Sequence, residues 1–383
     1  MEEKKSKGSV PIRITFVSAG LGNIYRGFEI AASVWYQELK GLPQIQAKLL
    51  AGGSFHDATR LWNAPRNGYL ARTLRTMGLL NDGCRFEQLS FGFSAFFYLI
   101  FNKPGIIWLQ EATLANSLLR LRETFGFKYK IVFCDGAPVG HAFAKRFDYV
   151  IFLHQYAFNH ALADGMDAKK CCVIPHLSLA PDQVLNKQDA RLSLKISEDK
   201  FVIICVAAWN KHHKRIDYLL SEIASLNFKD TVLLLCGQAE QDANILKEEA
   251  LKLNIDVQWH TFSQKDLSTA YAASDLFVLP SLNEALGAVL IEAGQHGLPV
   301  ICHHHDAGKF IFGEDYIGLS DLSKKGNLEQ KIRHFKHAGQ SNPKLYDTKR
   351  YVINKFNRKK LVNDFINFIS FISLILIVST IFY

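Results

Sequence analysis

Two carboxylates, Glu284 and Glu292, stand eight residues apart in the stretch 280–299. At 3.6 residues per turn that spacing is about two turns of helix. Glu284 therefore precedes an apolar helix, and Glu292 lies inside it. A helix N-terminus offers unpaired N–H groups and the positive end of its dipole to a phosphate, and a carboxylate accepts hydrogen bonds from sugar hydroxyls. The chemistry within reach is recognition of a phosphorylated, hydroxyl-rich ligand. The flanks fix the local order. Leu276 to Leu279 reads as a buried strand, Gly297 followed by Pro299 stops the helix, and Val300 to Cys302 starts another strand. Taken alone, the spacing also fits an ordinary pair of glutamates on a solvated helix.

The elements that must position this pair recur along the chain. Short apolar runs, Ile12 to Val17, Ile106 to Leu109, Lys130 to Cys134 and Val150 to Leu153, are followed by Phe201 to Val206, Val232 to Cys236, Asp256 to His260, Leu276 to Leu279 and Val300 to Cys302. Helical patterns such as Ile216 to Leu226 and Asp242 to Leu253 separate them. Strands alternating with helices predict an α/β protein with parallel sheets covered by helices. A polar stretch at 180–200 divides the two series. The expected domains are residues 1–179, a linker at 180–200, a second domain at 201–355, and a terminal helix and apolar tail at 356–383.

The chain has 383 residues, enough for two cores of ordinary size, and its 48% apolar and 21% charged residues give a globular profile. The net charge of +9 favours an anionic partner. No basic block interleaved with aromatics stands out, so nucleic acid is not expected. The seven cysteines form no Cys-x-x-Cys pair, and several lie in strand-like runs, which points to reduced thiols and a cytoplasmic location, at the inner face of a membrane if the tail attaches there. No secretory signal is read at the N-terminus, where charged residues lead into no long apolar stretch.

The segment from Glu284 to Glu292 resembles the donor-sugar signature of the family 4 retaining glycosyltransferases, which have the GT-B fold. The stretches 148–154, 173–175, 201–206, 214–220, 233–237 and 270–275 follow the same order as in that family, so the resemblance covers most of the chain. It implies two Rossmann-like domains facing a central cleft, with a C-terminal crossover helix. It implies transfer of a sugar from a nucleotide diphosphate sugar, of UDP or GDP type, with no other cofactor required. Such a reaction leaves negative charge on the departing diphosphate. One well-placed donor to developing charge contributes about 3–4 kcal/mol.

Carried over residue by residue, Glu292 would accept from ribose hydroxyls. Glu284 would sit at the donor sugar, as a catalytic-site group, and the N–H groups of Leu286 and Gly287 would meet the phosphate. Lys214 matches the family lysine on the diphosphate. The chain departs from the family at Trp209, where an arginine is usual. Lys211 is the candidate replacement charge, although lysine does not reproduce the bidentate fork of arginine. His212 and His213 read as solvated. Where many members place a histidine at the sugar, this chain has Asp135, with His141 six residues on. Asp135 is either a second catalytic-site group or a helix cap. The loop with Gly22 and Arg26 reads as a tight turn before a helix, and the resemblance adds donor phosphate or acceptor contact. It does not match Gly-x-Gly-x-x-Gly. His303, His304 and His305 are consecutive, and consecutive side chains on an extended segment point opposite ways, so no metal site is expected.

Two stretches break the pattern. Phe91 to Phe101 is aromatic and too short to span a bilayer. It reads as a buried helix, with an acceptor or lipid contact as the alternative. Residues 365–383 carry no charge and follow Lys349, Arg350, Lys355, Arg358, Lys359 and Lys360. Both a membrane anchor and a crossover helix fit. The resulting expectation is a retaining, hexosyltransferase-like enzyme acting on a glycan or lipid-linked acceptor in cell-envelope or exopolysaccharide synthesis. A tethered, non-catalytic nucleotide-sugar binding protein is the rival from another class, and an epimerase is a third option.

Overall fold

A computed structural model describes residues 11–24, 27–136, 139–178, 185–338 and 348–381. The chain divides into two compact units. One comprises the chain to Leu177 together with Arg358 onward, and the other runs from Ser178 to Asn357.

The first unit holds a parallel sheet of β1 (Ile12–Ser18), β2 (Ile45–Ala51), β3 (Thr59–Arg60), β4 (Ile106–Leu109), β5 (Lys130–Asp135), β6 (Tyr149–Phe152) and β7 (Cys171–Val173), in the order β3-β2-β1-β4-β5-β6-β7. Its helices are α1 (Gly27–Leu39), α2 (Tyr69–Thr76), α3 (Gly83–Phe101), α4 (Ala112–Phe125), α5 (His141–Ala144) and α6 (Gln155–Ala163). Strands buried on both faces read as continuous apolar runs, as the fully buried β4 does.

The second unit repeats the plan. Its strands β8 (Phe201–Val206), β9 (Thr231–Cys236), β10 (Val257–His260), β11 (Leu276–Leu279), β12 (Val300–His303) and β13 (Leu319–Ser320) lie in the order β10-β9-β8-β11-β12-β13. Around them are α7 (Lys187–Ser193), α8 (Ile216–Leu226), α9 (Ala243–Lys252), α10 (Gln264–Ala273), α11 (Ala288–Gln295), α12 (Asp306–Phe312), α13 (Asn327–Ala338) and the helix Thr348–Lys355. Helix α7 falls within the stretch read as a linker. It is fastened to the second unit, because Arg191 donates to Asp275 at 2.7 Å and to the Ala273 carbonyl at 3.0 Å.

In each sheet the order reverses direction beside the first strand, between β1 and β4 and between β8 and β11. In open parallel sheets, ligands bind outside the carboxyl ends of the strands at such a switch point.

The C-terminal helix, Arg358–Ile381, returns to the first unit. Leu361, Phe365, Ile369 and Ile372 are buried at helical spacing, and Phe365 stacks on Trp35 with ring centroids 4.4 Å apart. Arg358 donates to Glu38 at 2.5 Å. Phe371, Leu374, Ile377 and Val378 are exposed. The helix is long and apolar enough to cross a membrane by length and composition, yet one side of its first four turns serves as core of the first unit.

Candidate functional site

In the second unit, the loop after β8 and the loop after β11 leave the sheet on either side of its switch point. Asn210 shapes the first loop. Its Oδ1 accepts the N–H groups of His213 at 3.1 Å and Lys214 at 2.8 Å, while its amide donates to Glu240 at 2.9 Å. Arg215 takes a left-handed backbone, φ 50°, and its guanidinium donates to the carbonyls of Pro280 and Leu322. Held in this way, Lys214 projects to Glu284, and its Nζ donates to Oε1 at 2.5 Å. His213 Nε2 lies 4.0 Å from the same oxygen. Burial pushes the Glu284 carboxyl up, but the Lys214 ammonium outweighs it and holds the group below its ordinary value.

Helix α11 starts at Ala288, because Gly287 occupies its N-cap with φ 72°. A Cβ there would come within 2.9 Å of Leu290 Cδ1 and would strain the left-handed backbone, so glycine suits the site for two separate reasons. The N–H groups that open α11 are short of intrahelical acceptors, as at any helix start, although the Leu290 N–H donates to the Gly287 carbonyl at 2.8 Å. Leu286 is buried. Glu292 is the fifth residue of α11, one turn closer to its start than the spacing alone suggests. It accepts from the Tyr271 hydroxyl at 3.0 Å. Burial raises its carboxyl to about 7, and the Tyr271 bond offsets part of that rise. Tyr271 in turn stacks on His296, with centroids 4.6 Å apart. Sequence reasoning passed over Asn210, Arg215 and Tyr271. Tyr271 lies in the stretch matched to the family, but only its approach to Glu292 reveals a role.

The remaining residues read as donor-site candidates in this unit part company. Lys211 donates its N–H to Asp242 at 2.9 Å and its ammonium to Glu249 at 2.6 Å. Its charge is committed to α9 rather than to Glu284. Trp209 is buried edge-on against Trp259, with centroids 5.0 Å apart, and Lys247 lies over both rings. The histidines separate as well. His305 caps α12 by accepting the Gly308 N–H, whereas ligand atoms of His303, His304 and Asp321 lie within 4.8 Å of one another. His303 Nδ1 accepts the Leu322 N–H, and Asp321 accepts from Ser323, so these groups are partly engaged.

In the first unit, the switch point is built by the loop after β1 and by Gln110 and Glu111 after β4. Glu111 is buried and accepts from Ser18 Oγ at 3.2 Å, Ala19 N–H at 3.1 Å and Gly20 N–H at 3.2 Å. Burial raises its carboxyl to about 7 against those donors. Gly22, φ 83°, packs where a Cβ would meet the Gly53 backbone at 2.6 Å. That close approach accounts for the glycine. Arg26 lies outside the described residues. Asp135 ends β5 with Oδ1 buried and unpartnered among the described residues, and burial raises its carboxyl to about 6, countered by His141. His141 itself contacts Asp164 at 2.5 Å. Glu111 was not singled out from the sequence, where it is one acid among many.

Residues 186–349 match the family described as Glycosyl transferases group 1. A protein of the cps region of Klebsiella pneumoniae is 23% identical over 224 residues, 58% of this chain and 61% of that protein. A glycosyltransferase of Haemophilus influenzae is 28% identical over 160 residues, 40% of this chain and 44% of that protein. The matched region thus spans less than two thirds of either relative. Among solved structures, sucrose-phosphate synthase of Thermosynechococcus elongatus has a TM-score of 0.78 at 16% identity, covering 94% of this chain and 98% of that one. Anabaena HepE in complex with UDP and glucose has a TM-score of 0.72 at 16% identity, covering 94% and 99%. Residues 186–349 are thus similar to the group 1 glycosyl transferases, and the chain has a GT-B fold.

Proposed function

We propose that the protein is a retaining glycosyltransferase of family 4 type that moves a sugar, hexose by expectation, from a nucleotide diphosphate sugar to a glycan or lipid-linked acceptor. The observation that carries this reading is the meeting of Lys214 and Glu284 at the carboxyl ends of neighbouring strands. In this reading Lys214 turns from Glu284 to the diphosphate, and the N–H groups of Leu286 and Gly287 complete the anion site. Glu284 then accepts from hydroxyls of the donor sugar and Glu292 from the ribose. The leaving phosphate takes the acceptor proton on the same face, so no protein nucleophile is assigned. Asp135 is the candidate sugar contact of the first unit, and no metal is assigned a role.

The relative from a cps region and the apolar C-terminal helix support a place in envelope polysaccharide synthesis at the inner membrane face. UDP is the first donor nucleotide to test, since HepE was solved with UDP and glucose.

A second reading, a nucleotide-sugar binder without turnover, draws on the buried Trp209 in place of arginine and on Lys211 being bound to Glu249. A thermal-shift screen of nucleotides and nucleotide sugars, followed by product analysis with the ligand that stabilises most, separates the two. Turnover that disappears in Glu284→Gln supports the enzyme. A stabilising donor that is never consumed or transferred supports the binder, and absence of any nucleotide effect refutes both.

A further inference from the structure

Helix α3 is apolar on two opposite sides. Phe91, Ala95 and Leu99 enter the core of the first unit. The opposite stripe, at four-residue spacing, runs Arg85, Leu89, Phe93, Phe97, Phe101, and faces solvent. Phe93 is 62% exposed, Phe97 50% and Phe101 83%. The sequence expectation of a buried helix thus holds for one side only. A surface helix ordinarily turns charged residues outward, and one apolar all round is normally buried.

The aromatic surface continues beyond α3. Phe96 contacts both Phe97 and Phe125, with centroids 5.2 and 4.7 Å apart, and Phe125 is itself exposed. On the neighbouring α2 and the turn after it, Tyr69, Met77 and Leu79 are exposed as well.

Charge decides what covers this face. From residue 59 to 103 the exposed basic residues are Arg60, Arg72, Arg75, Arg85 and Lys103. Asp82 and Glu87 are the acids of the same stretch. Glu87 is buried and bonded to Arg66 at 2.6 Å, and Asp82 is used to cap α3 through the Arg85 N–H. Over residues 59–103 the outward side therefore combines large apolar and aromatic side chains with arginines, Lys103 and one engaged acid, and on α4 the exposed acid Glu123 lies two residues before Phe125. That combination suits the boundary of a bilayer with anionic headgroups, where aromatic rings enter the acyl edge and basic residues meet phosphates. A protein partner of mixed charge would not call for so one-sided a rim.

We propose that the outer face of α3, with the basic side of α2, is a binding surface for an anionic lipid membrane. This surface is built from elements other than the C-terminal helix and other than those of the nucleotide site proposed in the second unit. The test uses the full chain, with its C-terminal helix intact, in co-sedimentation with vesicles of phosphatidylcholine alone and of phosphatidylcholine mixed with phosphatidylglycerol. The natural chain is expected to prefer the anionic vesicles. Phe93→Ser/Phe97→Ser is expected to lower partitioning at least about tenfold, with the thermal midpoint and the nucleotide-induced shift unchanged. Arg72→Glu/Arg75→Glu is expected to weaken binding at low salt and to differ little from the natural chain at high salt. Leu89→Glu serves if the double phenylalanine variant does not fold. Equal partitioning of all variants overturns the proposal, because another segment then carries any membrane binding. Indifference of the natural chain to anionic lipid overturns it too. A shift from dimer to monomer in Phe93→Ser/Phe97→Ser with unaltered vesicle binding overturns it in favour of a second copy of this chain.

Discussion

Replacing Lys214 with methionine tests the core of the proposed donor site, because in that proposal the same side chain serves folding and ligand. In the unliganded protein its ammonium lies 2.5 Å from Glu284, with 18% of the lysine side chain and 9% of the glutamate exposed. Removing one partner of a buried ion pair costs about 3–5 kcal/mol, since the other charge is left without compensation. The residual exposure of Lys214 places this variant near the lower end, about 3 kcal/mol. Glu284→Gln/Lys214→Met removes both charges and should recover most of that loss. The pH dependence has a definite sign. In the natural chain Glu284 is held below its ordinary value, so its contribution to stability is present above about pH 4.5 and is lost as the pH falls. In Lys214→Met the largest lowering influence is gone, burial is opposed only by Ser281 and His213, and the carboxyl rises, so the deficit should shrink between neutral pH and pH 4. Ligand affinity should fall further than stability explains. A hydrogen bond to a charged group contributes about 1.5–3 kcal/mol, which is roughly ten- to hundredfold in the Kd of the stabilising nucleotide. Urea denaturation of the four members of the double-mutant cycle, with and without nucleotide, gives both quantities. Additive single effects on stability, or an unchanged Kd in Lys214→Met, would refute the shared role of this contact.

Three further outcomes follow from the geometry. Glu111 binds its proton more tightly in the folded state, about 7 against 4.5 unfolded, so the folded chain loses about 3 kcal/mol from this group as the pH rises across that interval. Glu111→Gln should remove this part of the slope in denaturation curves between pH 5 and 8, and an unaltered slope contradicts the assignment. Gly287→Ala must hold φ near 72° and crowd Leu290, at a cost of about 1–2 kcal/mol. Calorimetry should show that loss together with weaker nucleotide binding, and a neutral variant would mean that the cap relaxes. Phe365→Ala removes a fully buried ring stacked on Trp35 and should destabilise the first unit by about 3–5 kcal/mol. A loss below about 1 kcal/mol in thermal melts would show that the C-terminal helix is not core.

The long apolar strands were legible because parallel strands buried on both faces leave a continuous signature, as in β8 and β11. Strand β2 escaped because Gln46 and Lys48 interrupt its apolar run, although all of its residues pair with β1 in register. Strands β7 and β13 are three and two residues long and carry too few side chains to show a pattern. The terminal helix was legible in composition but ambiguous in role, because burial of Phe365, Ile369 and Ile372 depends on where the chain returns, which no local pattern encodes.

The site divides along the same line. The candidates Glu284, Glu292, Gly287 and Lys214 are picked out by order along the chain, since each follows a strand, caps a helix or lies in that helix at a fixed spacing. Glu111 and Tyr271 become meaningful only when strands far apart in sequence stand side by side. Glu111 is brought to the β1 loop across 91–93 residues by the pairing of β1 with β4. Lys211 shows the converse. Its position three residues before Lys214 fits a replacement for the missing arginine, but charge along the chain says nothing about which acid a flexible lysine will meet. In the fold that acid is Glu249, on α9, and the loop at Trp209 is packed instead against Trp259. The anion site proposed for the second unit is therefore weighted toward backbone N–H groups and Lys214. A site so composed depends on loop geometry more than on charge, and for that reason Asn210 and Arg215, which shape the loop without entering the proposed chemistry, should be as sensitive to substitution as the residues that touch the ligand.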